Sequence, residues 1–168
     1  MRLAPCLAGL AALLAAPAVA SPCAEIERLV AAAGAEQPFA ALAPELAEGA
    51  RRAMYDPDPA LDIGEGNACT IWLPAPLGPK MLCGMNIADH TDRENAYLRA
   101  LDAFEYHRDR LKACALLGEG EESDEPGLQS MTWVLPERQV VVELSLSARA
   151  NRSREAGLSL QVKHASAR

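Results

Sequence analysis

The chain is short of the residues from which most active sites are assembled. Only three histidines occur, His90, His107 and His164, so a Ser-His-Asp arrangement or a histidine-rich metal centre has few ways to form. There is no G-x-S-x-G elbow, no H-E-x-x-H, no Walker loop and no G-x-G-x-x-G. The usual signatures of serine hydrolases, zinc proteases and nucleotide-binding enzymes are therefore missing. No C-x-x-C is present, which removes thioredoxin-type redox chemistry and c-type haem attachment.

Basic charge is scarce as well. The chain carries 16 Lys and Arg against 23 Asp and Glu, and a surface of that sign repels the phosphates of nucleic acid. It steers instead toward basic partners or cations. Only Lys80, Lys112 and Lys163 are lysines; with so much alanine, this fits a GC-rich bacterial coding bias. Beyond residue 20 no run is long and apolar enough to span a bilayer as a helix.

What is present begins with an export address. Met1-Arg2 gives a positive start, Leu7 to Ala16 an apolar core, and Ala18-Val19-Ala20 a small-x-small cleavage site. Residues 1–20 are expected to be a signal peptide and 21–168 a single domain. The expected compartment is the periplasm of a Gram-negative bacterium. Cleavage after Ala20 leaves 148 of the 168 residues and takes away Arg2, so 15 basic side chains face 23 acidic ones, a formal charge of −8. Four cysteines remain, Cys23, Cys69, Cys83 and Cys114, the even number that paired disulfides require.

Local patterning points to an α+β domain. Ser21-Pro22 reads as a helix start, and Cys23, Ile26, Val30 and Ala33 recur at helical spacing up to Gly34. A short second helix is expected from Pro44, and a loop over Tyr55 to Asn67. Ala68 to Leu73 and Lys80 to Ile87 read as a hairpin, because the intervening PAPLGP holds three prolines that cannot donate to a ladder. Thr91-Asp92-Arg93-Glu94 is a capping box for a long helix running to about Leu117. Gly118 to Gly127 reads as a solvated acidic loop. The last third alternates in period two: Gln129 to Leu135, then Val140, Val142, Leu144 and Leu146, then Leu158, Leu160 and Val162. The expected architecture is an antiparallel sheet of about five strands, a hairpin plus a three-strand meander, with helices on one face and two disulfides.

If the hairpin register pairs Trp72 with Lys80, Cys69 lies directly opposite Cys83. Cys114, some 33 Å along the long helix at 1.5 Å per residue, is then carried past Cys83 toward Cys23. The favoured pairing is Cys69–Cys83 with Cys23–Cys114, although four cysteines allow three pairings.

Candidate sites are few. Asp89, His90 and Asp92 lie where the second strand hands over to the long helix and offer imidazole and carboxylates to a divalent metal. Acids at a helix start also serve the helix dipole. Glu121, Glu122, Asp124 and Glu125 do not follow the EF-hand spacing, but suit contact with a basic partner. Trp72 alternates with the Cys69 face and can stand outward as a partner anchor, whereas His107 is expected to be solvent-exposed. No catalytic residue is assigned and no cofactor is expected. The expected function is a non-catalytic binding or accessory protein of the inhibitor, immunity or assembly type, with another, basic envelope protein as partner and no nucleic acid. The alternatives are a small-molecule or metal-binding module and a glycan hydrolase built on two carboxylates.

Overall fold

The computed structural model describes residues 21–61, 63, 69–73, 78–88, 93–148 and 155–166. In chain order the elements are α1 (Cys23–Ala33), α2 (Pro44–Ala47), β1 (Arg52–Tyr55), β2 (Cys69–Trp72), β3 (Lys80–Ala88), α3 (Arg93–Lys112), β4 (Glu121–Glu125), β5 (Leu128–Leu135), β6 (Val140–Ala148) and β7 (Glu155–His164). All strand pairs are antiparallel and form one sheet of order β1-β2-β3-β7-β6-β5-β4. The α+β class is as expected, but the sheet has seven strands rather than five. The two additional strands, β1 and β4, are its edges.

Period-two patterning decides which face is covered. Met81 and Cys83 on β3, Met131 and Trp133 on β5, Val142 and Leu144 on β6, and Leu158, Leu160 and Val162 on β7 are all buried on one side. Against this face pack α1, through Ile26, Leu29 and Val30, and α3, through Ala100, Phe104 and Leu111. Leu, Ile and Val side chains withdrawn in this way contribute roughly 1.5–3 kcal/mol each. The other face is polar and small in its middle. There Ser145 lies opposite Ser159, with their hydroxyls 2.9 Å apart, and the Lys163 ammonium donates to Glu143 at 2.8 Å.

Both edge strands need a special explanation. The segment before Gly127 is not a loop, because Pro126-Gly127 makes a two-residue turn between Glu125 and Leu128. Proline followed by a glycine at φ 82° is the pattern of a type II turn. It folds the acidic run back along β5, pairing Ser123 with Ser130 and Glu121 with Thr132. On the opposite edge, β1 is joined to β2 by its ladder and by the Leu73 N–H donating to the Arg51 carbonyl at 3.1 Å. The Tyr55 hydroxyl at its end donates to Glu25 of α1, and Arg28 donates to Tyr55.

The disulfides are Cys69–Cys83 and Cys23–Cys114, with Cα separations of 4.2 and 5.2 Å. The hairpin register is Trp72 with Lys80, the condition under which Cys69 is expected to face Cys83, and Cys69 does pair with Cys83. Two expectations fail. The long helix ends at Lys112 rather than near Leu117, so Cys114 sits just past it, where its N–H donates to the Leu111 carbonyl at 2.9 Å. His107 is buried at 7% exposure rather than solvated, because it lies on the sheet-facing side of α3 with Phe104 and Leu111.

Candidate functional site

The acidic residues noted in the sequence come together on a sheet edge. β4 reads Glu-Glu-Ser-Asp-Glu and is exposed at every position. It pairs only with β5, so its other side carries no strand among the described residues. The two-residue turn sets what that side offers. The turn closes through Glu125 and Leu128, and alternation along an antiparallel strand then aims the backbone amides of Glu122 and Asp124 outward. The side chains divide in the same period. Glu121, Ser123 and Glu125 share the open face with Thr132, Ser130 and Leu128, and Glu122 and Asp124 lie on the helix side.

On that helix side a cleft of about 280 Å³ separates the β4–β5 hairpin from α3, lined by Leu101, Phe104, Glu105, Arg108, Glu122 and Asp124 among others. It lies below the roughly 300–1,000 Å³ of small-molecule sites and admits a side chain or two. Lys112 donates to Glu122 at 2.7 Å, and Arg108 stands 3.9 Å from the same oxygen. The Lys112 hydrogen bond and charge, with a smaller contribution from Arg108, hold the Glu122 carboxyl below the usual carboxylate range. Glu122 is thus a strut between the hairpin and α3. Glu121, Asp124 and Glu125 have no ion-pair partner among the described residues and remain available.

Trp72 does not belong to this surface. It stands half-buried on the open face of β2, five strands from β4. With strands about 4.8 Å apart, that is roughly 24 Å. Asp89, His90 and Asp92 lie outside the described residues. Among the described residues, no group of three or more His, Cys, Asp and Glu is placed to hold a metal ion.

Sequence reasoning missed the buried polar cluster at the α1–β1 contact. Glu25, 4% exposed, accepts from Tyr55, and the Arg28 Nε lies 3.5 Å from the same carboxylate. Burial first, and the Glu25 hydrogen bond next, push the Tyr55 phenol well above its ordinary value of 10. The signal was faint: an i, i+3 Glu-Arg pair on α1, whose partner is a tyrosine about 30 residues further on. Its role is to hold α1 to the sheet edge.

No protein-family model matches the chain, and no curated protein or solved structure matches it. A functional reading therefore rests on the geometry alone. Among the described residues, no helix is long and apolar enough to cross a membrane.

Proposed function

We propose that this is an exported, non-catalytic binding protein of the inhibitor, immunity or assembly type, whose β4 edge receives an extended, basic segment of another envelope protein. The observation that carries the reading is that a strand with four carboxylates in five residues lies at a sheet edge, its outer side unpaired among the described residues. Sheet edges bind peptides by adding a strand, with main-chain hydrogen bonds supplying affinity and alternate side chains supplying choice. Acids on an edge keep indiscriminate strands away, and the same acids select a strand bearing Lys or Arg. Such a strand would place alternate side chains beside Glu121 and Glu125 on one face and beside Asp124 and the cleft on the other. Two disulfides suit an oxidising compartment such as the periplasm.

A carboxylate-based hydrolase draws less support. In the cleft, Glu122 is taken up by the ion pair with Lys112 rather than presented to a substrate.

The test is calorimetric titration with a synthetic peptide of alternating lysine and valine. Binding that weakens as salt rises and is lost in Glu121→Lys/Asp124→Lys/Glu125→Lys supports the reading. Binding indifferent to that charge reversal, or no binding at low salt, overturns it.

A further inference from the structure

The opposite end of the open sheet face has the reverse character. The register aligns Arg52, Trp72, Lys80 and Lys163 side by side across β1, β2, β3 and β7. One step along the strands, Met54, Thr70 and Leu82 form the adjoining row. Met54 is 65% exposed and Trp72 and Leu82 are half-buried. The Arg52 guanidinium lies 6.0 Å from the Trp72 ring centre. Lys163 is engaged by Glu143, but neither Arg52 nor Lys80 has a carboxylate partner among the described residues. With Glu143 engaged by Lys163, Lys80 is left to attract an outside anion. By strand spacing the exposed acids of β4 lie four strands, roughly 19 Å, from Lys80 and farther from Arg52. That is more than two Debye lengths of about 8 Å at physiological salt, so they do not cancel this local charge.

From this juxtaposition we infer that the Arg52-Trp72-Lys80 row, with Met54 and Leu82, is a docking surface for an anionic phospholipid bilayer. The chemistry selects a membrane over a small soluble anion on three counts. Indole settles at the boundary between headgroups and hydrocarbon. Met54 and Leu82 present apolar surface that a dissolved phosphate cannot use. Arg52 and Lys80 are the cross-strand neighbours of the indole on either side, so cations stand next to it where an anionic leaflet attracts basic residues. The protein would then rest on the membrane by its basic end and hold the acidic β4 edge free, five strands away. This does not depend on what β4 binds.

The tryptophans make the inference measurable, because Trp133 is fully buried and Trp72 is not. The full exported chain is mixed with vesicles of phosphatidylcholine alone or with added phosphatidylglycerol, and binding is followed by flotation and by tryptophan emission. The expected result is flotation and a blue shift with the phosphatidylglycerol vesicles only, both reversed by high salt. Replacing each cation by glutamine weakens binding about fivefold, the effect of one basic residue near an anionic leaflet. Arg52→Glu/Lys80→Glu abolishes flotation while leaving affinity for the lysine-valine peptide unchanged. Trp72→Phe removes the blue shift and weakens flotation. Flotation that persists in Arg52→Glu/Lys80→Glu overturns the inference, as does equal binding to both vesicle types. So does a blue shift of the same size with soluble polyphosphate, which would assign the row to free anions.

Discussion

Removing Cys23–Cys114 should destabilise the domain more than removing Cys69–Cys83, although both bridges end in the same core. The first joins residues 91 apart and the second residues 14 apart. In the chain-entropy model, loops of those lengths restrict the unfolded state by roughly 4.5 and roughly 3 kcal/mol. The loss of Cys23–Cys114 therefore takes away a large share of the 5–15 kcal/mol typical of a folded domain. With a urea m-value of about 2 kcal/mol/M, the midpoint should fall by about 2 M, against about 1.5 M for the shorter bridge. Burial complicates the comparison, since Cys69, Cys83 and Cys114 are all at most 2% exposed and alanine leaves small voids. Repeating the melts of Cys23→Ala/Cys114→Ala, Cys69→Ala/Cys83→Ala and wild type under strong reductant measures that packing cost, which is then subtracted. The assay is urea unfolding followed by circular dichroism. A corrected loss for Cys69→Ala/Cys83→Ala equal to or above that for Cys23→Ala/Cys114→Ala would refute the reasoning. It would mean that the unfolded chain already keeps α1 near residue 114, so that loop length does not set the effect.

Other consequences follow from single contacts. Gly120→Ala places a methyl 2.7 Å from the Trp133 Nε1 and 2.4 Å from the Met131 Cε. Met131 can yield but the indole cannot, so thermal unfolding should show a loss of about 1–3 kcal/mol; no loss would mean that the β4 approach is loose. Tyr55→Phe leaves Glu25 buried with one donor fewer and should cost about 1–3 kcal/mol at neutral pH. Its pH dependence has a definite sign. A phenol whose folded-state pKa is raised adds stability below its unfolded value near 10 and loses that advantage as pH rises above it. The gap between wild type and Tyr55→Phe, measured by urea unfolding, should therefore shrink above pH 10, and a gap that widens would contradict the geometry. Gly127→Ala forces a side chain into φ 82° at the hairpin turn. It should loosen β4, seen as faster amide exchange at residues 121–125, with β6 and β7 unchanged.

Much of the interior was legible because its residues obey one rule at a time. The stripes in β6 and β7 alternate strictly, and the three prolines after Leu73 leave a hairpin as the simplest connection; the register that brings Cys69 opposite Cys83 had to be assumed. The edges were hidden because there local preference and tertiary pairing disagree. Four charges in five residues argue against a strand, and only Pro126-Gly127 marks β4 as half of a hairpin. β1 is four residues long, too short for alternation to rise above chance, and Tyr55 is held by Glu25 and Arg28 of a distant helix. His107 between Glu105 and Asp109 looks solvated in the sequence, but helical geometry turns it to the sheet. The separation of Trp72 from the acidic strand depends on strand order, β4 at one end and β2 near the other. No local pattern encodes that order, and it sets the partner-contact candidates apart, on an acidic edge and in a basic row.

The amides of Glu122 and Asp124 test the central claim most directly. If a basic strand adds to β4, their hydrogen exchange, fast in the free protein, should slow strongly when the lysine-valine peptide binds, while the already protected amides of β6 stay as they are. Binding of that peptide with the exchange of Glu122 and Asp124 unchanged would contradict the account.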